Sequence, residues 1–231
     1  MNSNPNLTEV ASLIGDPSRV AMLVSLLGGI ALPAGVLARS ALISPQTASA
    51  HLAKLVNGGL LIQESYGRHK YFRLANSEVG HALEALQVIA PTKPVHSLRE
   101  SNQLHALHLA RTCYDHLAGK IGVALTDGLL QMNFMEKSGK EFILSVEGKK
   151  RLHDFGVEVE QSPKIRRCFA RQCLDWSERR HHLAGSLGAS LTSRLFEIKW
   201  IEKLPDGRAV RVTNAGIKGF FDEFGLSLNV E

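Results

Sequence analysis

Residues 16–74 read DPSRVAMLVSLLGGIALPAGVLARSALISPQTASAHLAKLVNGGLLIQESYGRHKYFRL, and their order of apolar stripes and caps decides the fold. Asp16 followed by Pro17 is an N-cap with proline at the first helical position, and Ala21, Leu23, Val24, Leu26 and Leu27 follow Ile14 at helical spacing. A helix therefore starts at Pro17 and stops at Gly28-Gly29. Pro33 opens a short second helix that turns Val36 and Leu37 inward. Ser44-Pro45 repeats the start signal, and Leu52, Leu55 and Val56 form the stripe of a third helix from about Pro45 to Val56. After Gly58-Gly59, Leu60-Leu61 opens a strand, and Tyr71, Phe72 and Leu74 close a second one around Tyr66-Gly67-Arg68-His69-Lys70. The sum is three helices and a two-stranded wing.

The third helix leaves small polar groups outside: Ser44 at its cap, then Gln46, Thr47, Ser49 and Lys54, with His51 near the edge. A merely solvated helix more often carries Glu and Lys there. Amides and hydroxyls at a helix N-terminus suit the edges of bases in a DNA major groove. Arg68, His69 and Lys70 make the wing tip basic, which suits phosphates and adds affinity without reading sequence. These nine residues are the expected DNA contacts, and double-stranded operator DNA is the expected partner.

On these residues the segment resembles the ArsR family of bacterial winged-helix repressors. The resemblance rests on Asp16-Pro17-x-Arg19, on Ser44 to His51-Leu52, on Gly59-Leu60, and on Gly67-Arg68 followed by Tyr71-Phe72-Arg73-Leu74. It covers roughly the first 90 residues and is specific as a set. It implies a cytoplasmic, homodimeric repressor released from its operator by an effector. The flanking helices Leu7 to Ile14 and Val79 to Ile89 carry surplus apolar residues and are the expected dimer interface. The family's familiar metal sites are absent: the helix before the reader, from Pro33 to Arg39, has no cysteine, and Glu78 to Ile89 offers only His81 with Glu84. His81 is read as a surface or interface residue.

The chain has 231 residues, more than one winged helix needs, and its net charge of +5 with a pI near 9.2 suits a polyanionic partner. Lys164, Arg166, Arg167, Arg171, Arg179 and Arg180 crowd one later segment, read as a solvated helix face or a flanking DNA contact. No long apolar run and no export signal is visible, so a cytoplasmic location without a membrane partner is expected. Cys113, Cys168 and Cys173 are an odd set, expected to be free thiols.

The second half contains a duplication. His116-Leu117-Ala118-Gly119 through Leu125-Thr126 aligns without a gap on His182-Leu183-Ala184-Gly185 through Leu191-Thr192, and Phe134 to Lys137 lies on Trp200 to Lys203. Each copy reads as a helix ending near the glycines, a second helix, a hairpin and a closing helix capped by Ser145 or Thr213. The expected fold is thus mainly α with small β-hairpin wings: an N-terminal winged helix-turn-helix over residues 1–90, a linker over 91–100, and an effector-sensing domain over 101–231. That domain reads as two tandem winged-helix-like repeats, about 104–160 and 164–229, packed about a pseudo-twofold axis.

Chemistry gathers ahead of each copy. Arg111, Cys113, Tyr114, Asp115 and His116 precede the first, and Cys173, Asp175, Trp176, Arg179 and His182 precede the second. Leu107, Ala110, Tyr114, Leu117 and Ile121 read as a helical stripe with Cys113 and His116 at its border. If the two clusters face one another, they form a cleft for a small organic or redox effector, walled by Tyr114 and Trp176. The plain alternatives are that Tyr114 and Trp176 are core anchors and that Asp175 pairs with Arg179. Cys113 and His116 could share a metal ion or haem, but nothing nearby supplies further ligands at recognisable spacing, so neither metal nor cofactor is expected. The C-terminal half has no phosphate-cradling glycine loop, nucleophile turn or metalloprotease helix, so an enzyme is not expected.

Overall fold

The computed structural model describes residues 4–67, 69–92, 94–160, 167–205 and 207–228. The chain forms two compact units, Met1–Glu84 and Ala85–Glu231.

The first unit begins with α1 (Leu7–Ile14) and α2 (Pro17–Ser25), followed by β1 (Leu32–Pro33), α3 (Ala34–Ser40) and α4 (Pro45–Asn57). The strands β2 (Leu61–Tyr66) and β3 (His69–Leu74) make the wing, and α5 (Ser77–Ile89) runs on past the unit's end. The caps read from sequence are formed: Asp16 accepts from the Arg19 amide at 2.9 Å and Ser44 from the Thr47 amide at 3.2 Å. Leu23, Leu26, Leu37, Leu52, Leu55 and Phe72 fill the core. The wing is antiparallel, from Leu61 opposite Leu74 to Tyr66 opposite His69. β1 adds a third strand at its inner edge, where Pro33 pairs with Tyr71 before the helix it was expected to open.

In the second unit α6 (Leu98–Leu109) starts inside the expected linker, because Ser97 caps the Glu100 amide and Glu100 accepts from the His96 amide. Two passages of one order follow. The first is β4 (Arg111–Cys113), β5 (His116–Ala118), α7 (Gly119–Gln131), β6 (Met135–Ser138), β7 (Glu141–Leu144) and α8 (Val146–Asp154). The second is β8 (Arg171–Leu174), β9 (His181–Ala184), α9 (Gly185–Glu197), β10 (Ile201–Lys203), β11 (Val210–Val212) and α10 (Asn214–Phe224). Each passage opens with a hairpin where a helix was expected. The apparent stripe from Leu107 to Ile121 fails because Ala110 is already extended and Tyr114, at φ 58°, turns the chain back after Cys113. Periods of three and four in a short apolar segment do not separate a helix tail from a tight hairpin.

The two passages exchange bonds reciprocally. The Leu117 amide donates to Thr192 Oγ1 and the Leu183 amide to Thr126 Oγ1, both at 2.8 Å. Each threonine hydroxyl then donates to the carbonyl one turn back, on Gly188 or Gly122. Those glycines also let each helix start lie against the strand of its own passage: a Cβ on Gly122 would lie 2.5 Å from the Leu117 oxygen, and one on Gly188 equally close to the Leu183 oxygen. The hairpins are exchanged too. Phe142 donates to Ala170 and Val210 to Ala110, so each passage's second hairpin pairs with the other's first. A shared core of Leu117, Ile121, Leu125, Leu183, Leu187 and Leu191 lies between them.

Candidate functional site

Two places concentrate chemistry. On α4, Gln46, Thr47, Ser49 and Lys54 are exposed on one side, while Ala48, Leu52 and Leu55 are buried on the other. Ser44 is exposed but occupied, since its Oγ also lies 2.9 Å from Thr47 Oγ1, and Ser49 Oγ donates back to the Pro45 carbonyl. His51 is half-buried, with Nδ1 3.2 Å from an Arg19 guanidinium nitrogen. The same guanidinium donates to the Leu13 and Ser12 carbonyls at the end of α1. His51 and Arg19 thus tie α1, α2 and α4 together, which gives the paired Arg and His of the motif a packing role. His69 and Lys70 are exposed at the wing. Arg68 lies outside the described residues, as do Lys164 and Arg166. Among its described residues the later basic segment forms no helix face: Arg171 sits on β8, Arg167 pairs with Asp115, and Arg180 pairs with Asp127.

The second place lies inside the C-terminal unit, where the two opening hairpins meet. Cys113 is the cross-strand partner of His116 in the first hairpin, and Cys173 is that of His182 in the second. The Sγ atoms stand 3.9 Å apart and the two histidine Nε2 atoms 3.2 Å apart. Potential ligand atoms of all four residues lie within 4.8 Å of one another. The expectation that no further ligands stand near Cys113 and His116 is corrected, because the fold supplies them from residues 60 and 66 positions away.

Carboxylates back both imidazoles. Asp115 Oδ1 is 3.3 Å from His116 Nδ1, and Asp175 Oδ2 is 3.4 Å from His182 Nδ1. Both carboxylates are themselves held. Arg167 grips both oxygens of Asp115. Arg111 donates to Asp175 at 2.8 Å with both side chains fully buried, and the Ser177 hydroxyl and Gly119 amide donate at 2.7 Å. Asp175 therefore pairs with Arg111, while Arg179 donates to the Val88 carbonyl. Trp176 stacks over the Arg111 guanidinium, 4.3 Å from the ring centroid. Tyr114 holds the hairpin turn rather than a cleft wall. The cluster is closed, with Cys113, His116 and His182 buried and Cys173 half-buried.

Charge follows from these contacts. Burial disfavours the Asp175 carboxylate, but His182 and Arg111 outweigh it and hold its pKa far below the usual range. Burial likewise opposes ionisation of Asp115, yet the Arg167 hydrogen bonds bring it down to about 2. The hydrogen bond from Cys113 outweighs burial and stabilises the Cys173 thiolate. Burial works against a charged His182, but Asp175 and Cys173 prevail and raise it to about 9. Cys168 stands apart, half-buried, its thiol pushed up by burial and by Glu141.

Over 213 residues the chain is 47% identical to an uncharacterized HTH-type transcriptional regulator, YdfF, of Bacillus subtilis, in a match spanning 92% of this chain and 94% of that protein. The chain belongs to the HTH-type transcriptional regulators. Parts of this regulator are similar to solved winged-helix structures. A homodimeric winged helix-turn-helix DNA-binding domain from Mycobacterium bovis, a possible ArsR-family regulator, is 24% identical, covering 38% of this chain and 89% of that one, with a TM-score of 0.34. The cadmium sensor CMTR of Mycobacterium tuberculosis is 28% identical, covering 40% and 99%, with a TM-score of 0.31. No protein-family model matches the regulator. Among its described residues no helix is long and apolar enough to cross a membrane.

One signal for the buried cluster lay in the regulator's sequence. Ala110-Arg111-x-Cys113 and Ala170-Arg171-x-Cys173 both lead into His-Leu-Ala-Gly, but a six-residue insertion between Cys173 and His182 hides the match from a gapless alignment. That insertion carries Trp176 and Arg179, while Asp175 still matches Asp115.

Proposed function

We propose that the protein is a transcriptional repressor that binds operator DNA as a homodimer through α4 and the wing, and that its C-terminal unit switches this binding. The observation that carries the DNA-reading role is α4 itself: a capped helix with Gln46, Thr47 and Lys54 outside, flanked by a wing with exposed His69 and Lys70. One reading helix covers one half-site, so a two-fold operator needs a second copy. The faces that fit this role are on α1, which buries none of its residues and leaves Leu7 76% exposed, and at the end of α5, where Ile89 is 78% exposed.

Regulation is assigned to the cluster of Cys113, His116, Cys173 and His182. Its paired thiols and imidazoles, enclosed in a core, are costly to bury unless each is paired or used, and their chemistry answers to metals and oxidants. A second reading, a small organic effector, is supported by a separate cleft of about 800 Å³ in the same unit, lined by His108, Trp176, Arg179, Gln87 and Leu104.

Selection of fragments from the source genome by the purified full-length protein tests the DNA role. Enrichment of a common two-fold sequence, bound far more tightly than random duplex, is expected. Equal retention of all fragments would contradict it.

A further inference from the structure

We infer that Cys113, His116, Cys173 and His182 form a closed four-ligand site for one divalent zinc-type cation, built from the two opening hairpins of the C-terminal unit. The inference names the ligand of the cluster discussed above, and only its part in induction rests on that regulatory reading.

Distances support it first. Zinc bonds of about 2.0–2.1 Å to nitrogen and about 2.3 Å to sulfur give tetrahedral edges of about 3.3–3.4 Å between nitrogens and about 3.8 Å between sulfurs. The observed edges are 3.2 Å between the histidine Nε2 atoms and 3.9 Å between the cysteine Sγ atoms. The two like-donor edges thus match those of one tetrahedron, and all four donor atoms lie within 4.8 Å of one another.

Orientation is the second support. Each imidazole has a carboxylate near Nδ1, with Asp115 hydrogen-bonded to His116 and Asp175 3.4 Å from His182 Nδ1 without hydrogen-bond geometry, and both Nε2 atoms face the shared centre. Carboxylate–histidine pairs of this kind fix the tautomer and ring angle of metal-binding histidines. Two nitrogen lone pairs facing one another repel unless a proton or a cation lies between them. Two thiolates would neutralise a dication, so the buried site would carry no net charge beyond its carboxylate–arginine supports.

The donor set selects the cation. Two sulfurs and two imidazoles suit zinc and its softer neighbours, while magnesium and calcium need oxygen donors that this cluster does not direct at its centre. With all four positions taken by the protein, none is left for a reacting water, so the site fits a structural or sensory ion rather than a catalytic one. The reader domain is not needed for it: all four donors lie in the C-terminal unit.

The test uses full-length protein, reduced and stripped with a chelator, then titrated with Co²⁺ alone. The expected result is saturation at about one equivalent per chain, with the ligand-field bands of tetrahedral cobalt, thiolate-to-cobalt charge transfer, and displacement by Zn²⁺. Cys173→Ser should weaken the charge-transfer band. Asp115→Asn keeps all four ligands and should lower cobalt affinity about 10–100-fold without changing the stoichiometry. A folded wild type that fails to saturate, an octahedral spectrum, or a spectrum unchanged in Cys173→Ser overturns the inference. So does a Cys113–Cys173 disulfide forming equally fast with and without Zn²⁺. Genome-fragment binding on the same samples separates the two proposals: cobalt binding without DNA binding upholds the cation site and refutes the repressor reading, and the reverse result refutes the cation site alone.

Discussion

His116 and His182 hold equivalent places in two successive hairpins, and their Nε2 atoms face one another at 3.2 Å. The equivalence follows from the shared His-Leu-Ala-Gly sequence, whose glycines, Gly119 and Gly185, both take positive φ as each strand turns into a helix. The histidines meet because Thr126 and Thr192 bind the strand of the opposite passage. Two hairpins that end in one shared sequence thus meet in one cluster, of which either alone holds half.

The buried pair of Arg111 and Asp175 should be a main support of that site. Arg111→Met leaves the Asp175 charge without its guanidinium and should lower stability in urea by about 3–5 kcal/mol. Adding Asp175→Leu should recover part of that loss. A single variant within 1 kcal/mol of wild type would show that the pair carries little.

The close approach at the helix starts gives a steric prediction. Gly122→Ala and Gly188→Ala should each destabilise by about 1–3 kcal/mol, because the new methyl meets a strand carbonyl. Gly188→Ala should also disturb the cluster, since its Cβ would stand 3.3 Å from His116 Cβ. Thermal unfolding reads the first effect, and the cobalt spectrum reads the second. Unchanged melting of both variants would argue against the packing described.

On α4, Gln46→Ala and Thr47→Ala should each weaken operator binding by about 1–3 kcal/mol while leaving random duplex binding and the circular dichroism unchanged. Fluorescence anisotropy on a selected operator measures this. Full affinity in both variants would remove α4 as the reader.

Lys70→Ala should act differently. An exposed lysine on the wing, opposite Ser65, is placed for a phosphate, so specific and random duplexes should weaken together and the salt slope should fall by about one. A loss confined to the operator would contradict a phosphate role.

The N-terminal unit was legible because its signals are local. Asp16, Ser44 and the glycines around them fix helix ends within a few residues, and the apolar residues Leu60-Leu61 and Tyr71, Phe72 and Leu74 on either side of Gly67 fix the wing. The cluster was half legible. Of the residues named ahead of each copy, Cys113, Asp115, His116, Cys173, Asp175 and His182 come together while Tyr114 and Arg179 do not, and the hairpins carrying them were read as helix, since Ala110 and Tyr114 fall on a helical period by chance. Ligand spacing within either hairpin gives only one cysteine and one histidine. The other two donors come from a packing relation between copies that no short motif records.

If DNA binding at α4 is governed from the cluster, operator affinity must differ between two states of one protein. Anisotropy titrations would compare full-length protein loaded with Zn²⁺ and the same protein stripped by a chelator, each beside Cys113→Ser. The two wild-type states should differ by about 5–150-fold, and Cys113→Ser should show the same affinity in both. Equal affinity of the loaded and stripped wild type, with the cation shown to be bound in one and absent in the other, would contradict it.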